Sequence, residues 1–250
     1  MNWQRVNIYG ALALVGILIT AYVWGKITGK GGRHDSRLTV IYFCGLFGAL
    51  LGAKLAFLLA EGWYYRDNWI ALFSGRSITG GLIGGYVAVE IAKKYLKYPR
   101  TTGDVFAIIA PIGLALGRIG CLSAGCCNGI ICEQKWWALV DGDGLARWPA
   151  VPIELLFNLV FLAWALPATR FRWQIGNRFH IYLIAYGLFR FGHEFLRDNP
   201  RLIGPFGGYH FLALFILLFG AVRFAQRRHG DGNSPVAATR TSGIRNTLPT

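Results

Sequence analysis

Acidic residues are scarce in this chain. Asp and Glu together number 12 in 250, and all charged residues make up 15%. A soluble domain carries about 25% charged residues, so a surface facing water on every side is excluded. The C-x2-C pair that marks a structural zinc site does not occur. A small-residue cleavage site after the first apolar run is missing too, and further apolar runs follow. That run therefore reads as a retained helix rather than a removable leader.

What is present is apolar: 54% of the residues are hydrophobic, and mean hydropathy is +0.40. Runs long enough to cross a bilayer recur at about 7–25, 38–60, 78–96, 104–122, 150–168, 179–197 and 208–225. They predict an all-α, polytopic membrane protein with about seven transmembrane helices in one domain, residues 1–228. The polar stretch 229–250, rich in Gly, Ser, Thr and Pro, reads as a disordered cytoplasmic tail.

The formal net charge is +14, which by itself would suit a nucleic acid. Its distribution argues otherwise. Sixteen Lys and Arg fall in one set of alternate loops plus the tail, and seven in the other set. By the positive-inside rule the N-terminus lies outside and the C-terminus in the cytoplasm. The basic excess is then topogenic, with some attraction to anionic lipid heads, and no nucleic-acid partner is expected.

Arg118 stands at the end of the apolar run from Phe106, in the stretch Gly117-Arg118-Ile119-Gly120-Cys121. A charge at that depth costs about 2.5–3.5 kcal/mol unless something offsets it, and arginine cannot escape by losing its proton. Snorkelling, pairing with Glu154 or Glu194, and binding an anionic ligand all remain open. In the sixth run Tyr182, Tyr186, Arg190, His193, Glu194 and Arg197 recur every three or four residues, a polar stripe on one helical face. Pairing within the stripe leaves a surplus of positive charge once Arg118 is added. Phosphate suits the guanidinium fork.

Other features are less specific. Tyr9 fits an aromatic belt as well as a site. The run Thr79-Gly80-Gly81-Leu82-Ile83-Gly84-Gly85 implies a broken or closely packed helix, because each interior glycine costs about 0.5–1 kcal/mol relative to alanine. Cys44 reads as a small buried hydrophobe. Cys121, Cys126, Cys127 and Cys132 follow C-x4-C-C-x4-C, which predicts no metal site. Disulfides at an oxidising outer face, free thiols, and a thiolate activated by Arg118 stay open.

These stretches together resemble the bacterial prolipoprotein diacylglyceryl transferase family from Tyr9 to about Val222. Tyr9-Gly10 matches its early tyrosine-glycine, and Gly80-Gly81 its His-Gly-Gly segment. Gly117 to Gly129 matches G-R-x-G-N-x-x-N-G-x-x-x-G, and Pro149 to Glu154 resembles its His-Pro-x-Gln-Leu-Tyr-Glu stretch. Tyr186 to Arg197 matches Y-G-x-F-R-x-x-x-E-x-x-R. The resemblance implies a bacterial cytoplasmic-membrane enzyme, with its site opening outward and no cofactor. It would move a diacylglyceryl group from phosphatidylglycerol to the lipobox cysteine of a preprolipoprotein.

By position, Arg118 and Arg190 would hold the phosphate and Glu194 would orient Arg190. Tyr9, Thr79, Gly80, Gly81 and Cys121 would line the lipid site, as would Asn128, Glu154, Tyr186 and Arg197. The chain departs from the pattern where Thr79 replaces the histidine, Cys121 the first asparagine and Ala124 the second. Proton acceptance would then fall to His193, Glu194 or a cysteine thiolate. A non-catalytic or thiol-redox protein that keeps the lipid-binding shell is the alternative.

Overall fold

The computed structural model describes residues 3–29 and 35–232, with side chains over 8, 10–29 and 35–227. Seven long helices form where apolar runs occur: α1 (Trp3–Thr28), α2 (Ser36–Glu61), α4 (Ile78–Tyr95), α5 (Gly103–Ala124), α6 (Ala150–Arg170), α7 (Arg178–His193) and α8 (Gly208–Gly232). A short α3 (Trp69–Ser74) precedes α4, and a two-stranded hairpin, β1 (Leu139–Val140) and β2 (Ala146–Arg147), lies between α5 and α6. Tyr9's side chain and residues 233–250 of the polar tail lie outside the described residues.

Among the described residues five helices are long and apolar enough to cross a membrane: α1, α2, α5, α6 and α8. The other two differ for separate reasons. Helix α4 carries Glu90, Lys93 and Lys94 near its end, and α7 is 16 residues long. Large apolar side chains point away from the protein, including Phe47 at 68%, Leu59 at 80% and Leu188 at 66% exposure. Water would penalise such faces, and lipid would not.

The closest helix pair is α2 with α4. A Cβ on Gly84 would strike the carbonyl oxygen of Gly48, and one on Gly80 that of Gly52. The glycines therefore serve backbone approach, as small residues do between membrane helices. Of the two expectations for this segment, the closely packed helix is what forms; α4 is unbroken from Ile78 to Tyr95. Ser77 caps it, its Oγ accepting from the Gly80 N–H at 3.4 Å.

Helix α1 packs on α5, α5 on α6, and α7 on α8. Tyr182, Leu183, Tyr186, Ala107, Ala165 and Ile216 close the main core. A second cluster of Trp24, Ile41, Tyr42, Val89, Ala92 and Ile109 fills the space between α1, α2, α4 and α5.

Candidate functional site

The chemistry-bearing side chains gather at one end of the bundle, where α5 and α7 finish and α6 begins. Glu154 sits about one turn inside α6 with no exposed surface. Its Oε2 pairs with Arg118 Nη2 at 2.7 Å, Arg190 Nη1 at 3.3 Å and Arg197 Nη1 at 3.6 Å. The Tyr186 hydroxyl donates to its Oε1 at 2.7 Å. Arg190 Nη2 also meets Glu194 Oε2 at 2.7 Å, and the Asn199 amide donates to Glu194 Oε1. Asn158 supports the array from below: its amide donates to the Glu154 carbonyl at 2.8 Å, and it accepts from Tyr182 at 2.7 Å.

Three guanidinium groups this deep are tolerable only because carboxylates stand between them; removing a charge from water costs several kcal/mol otherwise. Arg118, Arg190 and Arg197 nevertheless line a cavity of about 1290 Å³, whereas Glu154 and Glu194 do not. The acids sit behind the arginines, and the arginines face the open space. Arg118 Nε, Arg197 Nε and Arg197 Nη1 are buried donors without a hydrogen-bond partner. Donors left so are costly unless something accepts from them.

The polar stripe of the sixth run needs one correction. Its regular spacing predicted a helix through Arg197, but α7 ends at His193, followed by a single 3-10 turn, Glu194–Leu196. Arg197 is extended and bridges to Gly129, while the Ile130 N–H donates to the Leu196 carbonyl at 3.1 Å. The loop leaving α5 thus captures the chain leaving α7, and this pairing aims Arg197 at Glu154. The hairpin reinforces it: Arg147 reaches Asp141 and Asp198, each at 2.7 Å. Arg147 holds the Asp141 carboxyl below the usual carboxylate range, helped by the Leu145 and Asp143 backbone N–H groups.

Thr79, Gly81, Cys121 and Asn128 border the cavity. Gly80 packs on Gly52, and Tyr186 supports Glu154 from behind. His193 does not reach the cavity. It stacks on Phe189 with ring centroids 4.9 Å apart, and both ring nitrogens lack partners. The Thr79 hydroxyl shares a 2.6 Å hydrogen bond with Ser77.

Glu61, unremarked in the sequence, closes α2 beside Tyr65 and Tyr209 on the same cavity, and its Oε1 has no partner. Glu61 forms no ion pair with these arginines among the described residues, so Glu154 and Glu194 answer three guanidinium groups and one positive charge is left over. What favours an anion is that leftover charge at the wall of the cavity. No sequence signal separates Glu61 from an acid at a helix end.

The cysteines fall into separate groups. All five are free. Cys121, buried on the last turn of α5, lies with exposed Cys126 and half-buried Cys127 so that the three sulfurs are within 4.8 Å of one another. Cys132 is outside this group; its N–H donates to the Ala146 carbonyl at 3.0 Å. The turn is made by Gly125 at φ 65° and Cys127 at φ 64°, left-handed backbone that is uncommon for a residue with a side chain. Hydrogen bonds from the Cys121 and then the Cys126 thiols hold the Cys127 thiol well below its ordinary range.

Comparison with known proteins adds a lineage to this geometry. The profile of the family described as prolipoprotein diacylglyceryl transferase matches residues 2–226. A phosphatidylglycerol–prolipoprotein diacylglyceryl transferase of Geobacter sulfurreducens is 30% identical over 89% of this chain and 92% of its own length. One of Bordetella parapertussis is 33% identical over 80% of each chain. One of Clostridium tetani is 28% identical over 86% of this chain and 91% of its own.

Proposed function

Because the chain belongs to the prolipoprotein diacylglyceryl transferase family, we propose that it moves a diacylglyceryl group from phosphatidylglycerol to a cysteine thiol of a prolipoprotein. The observation that carries this reading is the convergence of Arg118, Arg190 and Arg197 on buried Glu154 at the wall of the cavity. A phosphate group fits those donors, since arginine presents a planar fork to paired oxygens.

The reaction follows from that placement. The acceptor sulfur attacks the glyceryl carbon that bears the phosphate ester. A C–S bond forms as the C–O bond breaks, and the electron pair leaves with glycerol phosphate. Charge grows on the phosphate oxygens in the transition state, where fixed guanidinium groups stabilise it most. Glu154 and Glu194 hold those groups in position, so little reorganisation is needed. Ile17, Leu46, Leu50, Leu82, Phe106 and Leu114 give the cavity apolar walls for acyl chains. Seven helices cross the cytoplasmic membrane with the N-terminus outside, which puts the arginine end at the outer face.

The test uses protein reconstituted in phosphatidylglycerol vesicles with a lipobox peptide, reading thioether product and released glycerol phosphate. Arg190→Ala lowers transfer by about 10²–10³, the loss expected for one preorganised donor. Phosphatidylcholine vesicles give no product. Wild-type rates in both Arg118→Ala and Arg190→Ala would overturn the reading.

A further inference from the structure

We propose that Cys121, Cys126 and Cys127 form a three-thiolate zinc site whose open fourth position takes the acceptor thiol. The inference rests on the transferase reading and supplies what that reading lacks, a group that deprotonates the acceptor. Thr79 is hydrogen-bonded and no base, and His193 does not reach the cavity.

The geometry suits the ion. Three thiolates on a tetrahedral zinc at about 2.3 Å stand about 3.8 Å apart, and these sulfurs are already within 4.8 Å of one another. Among the described residues the group ends at three, the ligand number that leaves a catalytic zinc one position for substrate. Cys127 is held in left-handed backbone, which aims its sulfur back at the end of α5. Local strain of that kind persists where the surroundings over-determine it. A Cys126–Cys127 bridge is the poorer use of the trio, because joining neighbouring cysteines distorts the intervening peptide and leaves Cys121 without a partner. Zn²⁺ with three thiolates carries one net negative charge, and Arg118 Nη1 lies 3.8 Å from Cys121 Sγ to balance it.

A thiol that binds zinc gives up its proton. Here the proton leaves to water at the mouth, which exposed Cys126 borders. The zinc-bound sulfur keeps a lone pair for the glyceryl carbon. Once the C–S bond forms, the thioether is neutral and binds zinc weakly, so product dissociates. Zinc does not change oxidation state. Arg118 thus touches both halves of the reaction, the phosphate and the thiolate site.

The full chain, purified in detergent, reduced and freed of metal, is titrated with Co²⁺ and with Zn²⁺. One equivalent of Co²⁺ should give intense thiolate charge-transfer and tetrahedral ligand-field bands, displaced by Zn²⁺. Cys126→Ser and Cys127→Ser should weaken uptake at least about tenfold, the scale at which even outer partners of a ligand act. Cys44→Ser leaves it unchanged. In unmutated protein, bound zinc should protect these three thiols from alkylation, read by mass spectrometry, so the result does not depend on a variant that folds.

Transfer should be lost on chelation and restored by zinc. Absence of Co²⁺ uptake by fully reduced protein, or equal uptake by the cysteine variants, would overturn the proposal. So would transfer that survives chelation but is lost in Glu61→Gln, an outcome that leaves the transferase reading standing.

Discussion

Glu154 has no exposed surface and touches Arg118, Arg190 and Arg197 at once. Glu154→Gln should therefore cost about 3–5 kcal/mol, because it strands buried cations rather than merely deleting one contact. Thermal unfolding of the purified protein measures it. Tyr186→Phe, which removes one hydrogen bond to the carboxylate, should cost about 1.5–3 kcal/mol in the same assay. At this scale the arginines were legible, because a permanent charge in an apolar run stands out by its cost. Glu61 was not, since an acid at the end of a helix is ordinary until a cavity is found beside it. Glu154 stood in the sequence as one of two pairing candidates; that it binds all three arginines comes from three chain segments meeting.

Among the elements, α2 and α4 depend on bare backbone. Gly84→Leu should force them apart at a cost of about 1–3 kcal/mol, the range for overpacking, with a matching fall in folded yield. The hairpin behind the mouth responds to acid. Asp141 accepts from Arg147 at 2.7 Å and from the Asp143 and Leu145 N–H groups at 3.0 and 2.9 Å. Its folded value lies below that of the unfolded chain. The clamp's contribution is therefore complete above about pH 4, the ordinary carboxylate value, and is lost as pH falls through the lowered folded value. Hydrogen-exchange protection over 139–147, taken relative to the intrinsic rate at each pH, should fall on that descent, and in Asp141→Asn it should be low at every pH. Helix positions were readable from apolar run length. The end of α7 was not: the polar spacing continues through Arg197, but pairing with Gly129 breaks the helix first.

For the whole molecule, the cavity connects the arginine end to the apolar wall between α1, α2, α4 and α5. Filling that wall should act on lipid rather than on the arginines. Ala110→Trp should reduce transfer at least about tenfold, the effect of 1.4 kcal/mol, while zinc or cobalt uptake at the cysteines stays as in wild type. Activity at the wild-type level would show that acyl chains lie elsewhere.

The sequence by itself determined that the chain is helical and built for lipid, and it singled out the arginines. Those conclusions rest on composition, run length and the cost of a charge in hydrocarbon, all local quantities. Only the tertiary structure decided which acid answers which arginine, that His193 is turned away from the cavity, and that three of the cysteines converge. Each of these is a contact between segments distant along the chain or bent by a turn, fixed by packing that no spacing encodes.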